Sequence, residues 1–440
     1  MRRWPTVVVL CLAQFLAQSL AQPLAWGHSM GQAADLTTDD AWPPDAFAGG
    51  HLKYQLMAWA YPQNSSFRKT LGEHSAAQAL DLRLNFAADS GPWDFKLDYQ
   101  FNLLHAESLS LESGLSGGAR PDTGIIDDRR RWWGLTDAQT HGGQLAVVNR
   151  LDRLSVGYTT AHSAWRLGRQ AISWGNGMVY TPMDIFNPFD PAAVDKEYKS
   201  GDDMLYGQWL FANGDDLQGV AVVRRDPLSG EVERDQSSIA LKYHGFLGMN
   251  EFDLLAAEHF DARVIGLGGI LGAGGAVWRG DLTWTRDLGE DYLAGVLGVS
   301  YAWDWAGRNV SGLLEYYYSG LGQSDGRYAP PALAENPALS ARLARSELFT
   351  LARRYLAAST TIELTPLLHA TPTLFMNLDD PSALAQLTLR YDWRQDLQIL
   401  AALNLPIGPD GSEFGGIEAA ADDRFLSVGA GLFAQLAWYF

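Results

Sequence analysis

Between Trp93 and Leu103 every second residue is apolar and every residue between is polar. Trp93, Phe95, Leu97, Tyr99, Phe101 and Leu103 fall on one face, with Asp94, Lys96, Asp98, Gln100 and Asn102 on the other. Side chains of a β-strand alternate between faces, so such a ribbon separates an apolar medium from a polar one. The rhythm returns with Leu80, Leu82, Leu84 and Phe86 against Asp81, Arg83 and Asn85. It returns again with Leu387, Leu389 and Tyr391 against Thr388, Arg390 and Asp392, and along Leu397, Ile399, Ala401, Leu403 and Leu405. About 18 segments follow it, most about 9–11 residues long, as a tilted membrane-crossing strand requires. The spans are 51–61, 77–87, 93–103, 152–160, 164–173, 203–211, 217–225, 236–245, 251–260, 262–271, 275–286, 291–303, 309–318, 355–364, 371–377, 383–392, 396–405 and 424–440.

The connections supply a second signal. Alternate ones are long (62–76, 104–150, 174–202, 319–354 and 406–423 among them). Most of the others are tight turns such as Ser90-Gly91-Pro92, Asn213-Gly214-Asp215 and Gly248-Met249-Asn250. Long loops on one side and short turns on the other are the asymmetry of outer-membrane barrels. The expectation is an all-β fold: one transmembrane antiparallel β-barrel of about 18 strands, with 16 as the alternative.

The chain ends follow this plan. Arg2 and Arg3 precede an apolar run from Val7 to Leu16, and Ser19-Leu20-Ala21 offers a small-x-small cleavage site. Residues 1–21 read as a signal peptide, 22–50 as a periplasmic N-terminal segment and 51–440 as the barrel. The one cysteine, Cys11, lies in the leader, which excludes disulfides, thiolate metal sites and a catalytic cysteine from the processed chain. At the other end Leu432, Ala434, Leu436, Trp438 and Phe440 alternate up to a final aromatic, marking Trp438 and Phe440 as barrel-closing residues. This pattern resembles the terminal strand of Gram-negative outer-membrane barrels, which the assembly machinery recognises.

With 33 basic and 51 acidic side chains, the net charge of −18 argues against a nucleic-acid partner. No cofactor fingerprint follows a strand. The nine histidines never recur at zinc-ligand spacing, so neither cofactor nor metal is expected. Gly114-Leu115-Ser116-Gly117-Gly118 fits G-x-S-x-G but lies in a Gly/Ser-rich loop without the strand–turn–helix setting that activates such a serine. Between 331 and 354, leucines 333, 339, 343, 348 and 351 recur at roughly helical spacing and predict one loop helix.

The densest unusual stretch starts at Gly168-Arg169-Gln170 and runs through Trp174-Gly175-Asn176-Gly177 to Thr181-Pro182-Met183-Asp184-Ile185-Phe186-Asn187-Pro188-Phe189-Asp190-Pro191. Its prolines forbid strand and helix, and its phenylalanines are ill placed in open water. A rigid, partly apolar loop is best hidden by folding inward. As the third long-side loop it is expected to narrow the lumen. The run resembles the segment shared by porin-like and alginate-export-like outer-membrane barrels, which implies a channel for a carbohydrate or other organic solute. The run and the residues just after it carry the candidate constriction residues Arg169, Gln170, Trp174, Asp184, Asn187, Asp190, Asp195 and Lys196. Acid and base facing each other across a pore orient dipolar solutes; the same residues can instead hold the loop to the wall. Simple alternation with Trp165 and Leu167 points Arg169 at lipid, a conflict that a bulge near Gly168 or a place at the interface must relieve.

The functional expectation is passive, partly selective diffusion of small hydrophilic solutes across the outer membrane. The alternatives are an export conduit for a polysaccharide or lipid, and a barrel-embedded hydrolase. Lipid, lipopolysaccharide, the assembly machinery and a small solute are the expected partners. Oligomeric state is left open.

Overall fold

A computed structural model describes residues 46–107, 127–141, 143–419 and 424–440. The leader, residues 22–45 and the 114–118 serine motif lie outside the described residues.

The eighteen spans appear one for one as barrel strands. They are β1 (Phe47–Ala60), β2 (His74–Ser90), β3 (Trp93–Ala106), β4 (Leu145–Thr159), β5 (Ser163–Gln170) and β6 (Asp202–Leu210). Next come β7 (Asp216–Val222), β8 (Ser238–Leu247), β9 (Asn250–His259), β10 (Ala262–Ala273), β11 (Ala276–Asp287) and β12 (Glu290–Trp305). The rest are β13 (Arg308–Ser319), β14 (Arg354–Thr365), β15 (Leu368–Asn377), β16 (Ser382–Arg394), β17 (Leu397–Ile407) and β18 (Gly431–Tyr439). Each pairs antiparallel with its sequence neighbour. β1 closes on β18 from His51↔Tyr439 to Trp59↔Gly431. Phe440 extends the seam, exchanging backbone hydrogen bonds with Gly50 and stacking on Phe47. Trp438 packs beside it and donates its indole N–H to Asp396. Closure leaves the barrel without an unpaired edge, the requirement for backbone in lipid.

The side-chain distribution is inverted relative to a soluble protein. Leu241, Leu254, Ile265, Leu267, Leu282, Leu293 and Leu297 are exposed on the outside. Lys53, Arg83, Asp253, Asp281 and Glu315 are buried within. Exposed leucine belts and buried charges on alternating positions suit a sheet with lipid outside and a polar interior.

Two segments depart from expectation. The 331–354 helix is two short ones, α2 (Pro330–Ala334) and α3 (Pro337–Ala344), after the earlier α1 (Ser66–Leu71). Pro337 cannot continue a helix but suits its first turn, and Asn336 caps α3 by accepting the Leu339 N–H at 3.1 Å. Ser346, at φ 56°, lies just beyond it. In addition, strand Thr136–His141 adds to the upper part of β4 without joining the closed circuit. The interior is packed from the loop side: Trp174, Met183 and Phe186 meet Met204, Val220, Val222, Leu255 and Val264 of the wall.

Candidate pore constriction

Residues 171–201, between β5 and β6, fold into the barrel as the prolines and phenylalanines predict. They do not cross the lumen directly. The contacts trace a circuit around the inner wall. Trp174 Nε1 donates to Gln218 on β7 at 2.8 Å. Asn176 Nδ2 reaches Asp253 on β9 at 2.9 Å and Asp281 on β11 at 2.8 Å. The Met178, Val179 and Tyr180 N–H groups all donate to Glu315 on β13, at 2.6, 2.9 and 3.1 Å. Further on, Gln386 of β16 donates to the Ala192 carbonyl, and Lys53 of β1 bonds Asp195 and Glu197 at 2.7 and 2.6 Å. Tyr439 of β18 donates to Glu197, the Arg83 guanidinium of β2 lies 4.1 Å from the Tyr198 ring centre, and Arg153 of β4 donates to the Lys199 carbonyl. The loop is a hoop lining the wall.

Local sequence explains the hoop's tightest bend. Three consecutive N–H groups converging on one carboxylate form an anion-binding nest. A Cβ at Gly177 would lie 1.9 Å from the Tyr180 carbonyl oxygen, so only glycine permits this turn. Asp281 adds a second anchor, accepting the Asn176 and Gly177 N–H groups at 2.7 and 3.3 Å. Asp281 and Glu315 are 4% and 0% exposed. A hydrogen bond to a charged group contributes about 1.5–3 kcal/mol, and a buried carboxylate stripped of such donors is strongly unfavourable. The wall acids and the loop amides therefore depend on one another.

Most of the expected constriction residues are fasteners. Arg169 is fully buried and open to no solute. Its register partner is Asp203, continuing Trp165↔Gly207 and Leu167↔Leu205. It does belong to the outward-phased row, but at the strand's rim end. There the segment around Asp128 and Trp133 covers it: Nε–Asp203 is 2.8 Å, Nη1–Asp128 3.0 Å and Nη2–Trp133 O 2.7 Å. Gly168, at φ 138°, provides the distortion; a Cβ there would sit 2.1 Å from the Leu154 carbonyl oxygen. Gln170 is buried and bonds the Arg166 and Met204 carbonyls. Trp174 is buried edge-on against Phe186. Asp184 is buried in an ion pair with Lys199 at 2.6 Å. Asn187 takes a left-handed conformation, φ 48°, which asparagine tolerates better than most residues.

Asp190, Asp195 and Lys196 remain half-buried on the hoop, and Glu197 and Tyr198 are exposed. Lys196 donates to the Pro191 carbonyl, 2.9 Å away. The residues that sequence reading missed are the wall anchors Lys53, Gln218, Asp253, Asp281, Glu315 and Gln386. Their one sequence signal is phase: each lies on the polar face of its strand.

Ser238 Oγ lies 2.9 Å from His259 Nδ1, and His259 Nε2 lies 3.2 Å from Glu347. This has the order of a nucleophile–base–acid relay. However, Arg224 donates to the same serine oxygen at 2.7 Å, and Arg345 pairs with Glu347. The neighbouring cavity is lined by His259 and Glu347 but not by Ser238. The chain thus ties the loop bearing α3 to the wall and presents no serine to a substrate. Among the described residues no group of three or more His, Cys, Asp or Glu side chains could hold a metal ion.

No family model and no curated protein matches this sequence. Solved structures do match its shape. Pseudomonas aeruginosa OccK9 (OpdG) aligns with a TM-score of 0.51 at 13% identity, over 90% of this chain and 98% of that one. Acinetobacter baumannii OccAB1 gives 0.51 at 8%, over 91% and 98%. A BenF-like porin from Pseudomonas fluorescens Pf-5 gives 0.50 at 10%, over 91% and 100%. At such identities the likeness is one of fold: this chain is a closed 18-stranded antiparallel barrel built like these proteins.

Proposed function

We propose that the chain is an outer-membrane channel through which small hydrophilic solutes diffuse passively, narrowed by the hoop 171–201. The observation that carries this reading is the hoop's path along the wall of a barrel that is apolar outside and charged within. At 18 strands such a lumen is wide enough for water unless loops fill it. Asp190, Asp195 and Lys196 are the constriction residues of this reading, with Glu197 and Tyr198 beside them. Arg169, Gln170, Trp174, Asp184 and Asn187 support the narrowing from behind. Selection is by size and by the transverse field of mixed charges, without covalent chemistry. The placement implies export by the N-terminal leader, insertion by the barrel-assembly machinery, and lipid and lipopolysaccharide as neighbours.

The test is solute-driven swelling of liposomes holding the purified chain, with sugars, dicarboxylates and amino acids, alongside planar-bilayer conductance. Steady pores and size-dependent swelling are expected, both increased by deleting 178–190. If no solute passes and the deletion opens nothing, the channel reading fails.

A further inference from the structure

Where the hoop reaches β14 and β15, a cavity of about 150 Å³ lies beside it. It is bounded by the hoop, the loop after α3 and the loop after β17. Five aromatic rings line it: Tyr180, Phe349, Tyr355, Phe375 and Phe414. Two carboxylates, Asp190 and Glu413, lie on its polar side with Thr350. A dry apolar cavity of about this volume holds one benzene-sized molecule.

The charge pattern is what makes the cavity specific. Glu413 accepts from the Leu351 N–H at 2.9 Å, the Tyr355 hydroxyl at 2.5 Å and the Asn377 amide at 2.7 Å. Its own N–H donates to Asp380. The ionisable groups facing it are Tyr180, Tyr328, Tyr355, Asp190 and Asp380, none of them a cation. No ion pair to Glu413 exists among the described residues. Lys196 is within electrostatic reach of Asp190, so Glu413 carries the recognition. Burial pushes the Glu413 carboxyl up to about 7. A carboxyl so placed gains from any cation delivered to it.

The kind of cation follows from the donors already present. Glu413 has three hydrogen bonds and little capacity for the three donors of a primary ammonium. A methylated ammonium asks for no hydrogen bonds and is attracted by aromatic faces. We propose that this cavity binds a small quaternary ammonium, with Glu413 as its counter-ion and the five rings as its cage. The site is a side pocket of the lumen and does not depend on the channel reading.

The probe is choline, titrated calorimetrically into the full chain in detergent, against its neutral isostere 3,3-dimethyl-1-butanol. Saturable choline binding is expected in the millimolar range or tighter, with the isostere roughly 10- to 30-fold weaker. Affinity should rise about tenfold per pH unit below 7 and level off above it, because the ligand needs the ionised carboxyl. Glu413→Gln should abolish the preference for choline. As that change also touches loop contacts, Phe349→Leu serves as the second variant and should weaken choline at least several-fold with the barrel's heat-modifiable gel shift intact. Equal binding of the two probes, or no saturable choline binding to the folded barrel, overturns the proposal. Conductance of the same preparation separates the two readings: pores without choline binding refute this site alone, and choline binding without pores refutes the channel alone.

Discussion

Two sectors of the inner wall hold the same hoop by different means. On β9, β11 and β13 the wall offers carboxylates, and the hoop answers with backbone amides and Asn176. On β1, β2 and β4 the wall offers Lys53, Arg83 and Arg153, and the hoop answers with Asp195, Glu197, the Tyr198 ring and the Lys199 carbonyl. Amide-to-carboxylate bonds fix the path of the main chain whatever the side chains are. Ion pairs leave the path looser but set the local charge. In the channel proposed above, the acid sector would set the width of the lumen and the basic sector its selectivity.

Breaking the acid sector should give the largest effect. Glu315→Ala orphans three consecutive N–H groups, each costing about 1–3 kcal/mol when buried. Single-channel conductance should rise severalfold, and the unfolding midpoint on heating in detergent should fall. An unchanged conductance would show that the turn at 177–180 holds without its nest. Asp281→Asn keeps an acceptor oxygen and removes the charge, so about 1–2 kcal/mol and a smaller rise in conductance are expected. In the basic sector, Lys53→Met leaves Asp195 and Glu197 without their cation. Reversal potentials in a salt gradient should then move toward cation preference with conductance nearly unchanged; a wider pore instead would collapse the distinction between sectors.

The loops above the hoop give a subtler, pH-dependent effect. The Glu413 carboxyl is raised by burial from its ordinary 4.5 to about 7. Folding then favours the protonated form: its contribution is complete below about 4.5 and is lost as pH rises through 7. Protease cleavage of loop 408–416 in choline-free buffer should be slower at pH 5 than at pH 8. Smallest of all, Arg234→Gln removes a pair whose guanidinium is 87% exposed, and stability should change by less than about 0.5 kcal/mol.

Much of the wall was legible because its cause is local. A strand between lipid and water writes its phase into each second residue, and a span such as 93–103 declares itself unaided. Errors sit where that pressure lapses. β4 begins at Leu145, earlier than expected, because its first residues pair with β3 on one side and with Thr136–His141 on the other. The last strand begins at Gly431, since the residues just before it belong to a loop. Pro337 divides a helix that leucine spacing alone would join. The inward turn of 171–201 was legible from its prolines and phenylalanines. Its seats were not: Met178 meets Glu315 across 137 residues of sequence, and nothing local marks one polar-face acid among many. For the same reason Arg169 stands out as unusual while its partner Asp128, in another loop, does not name itself.

The seats of the hoop are also divided along the chain. Lys53, Arg83 and Arg153 precede residues 171–201 in the chain, whereas Gln218, Asp253, Asp281, Glu315, Gln386 and Tyr439 follow them. The whole hoop can therefore be seated only in a barrel whose later strands are already in place. A barrel lacking those later strands would keep only three of these anchors, so the narrowing belongs to the closed ring as a whole.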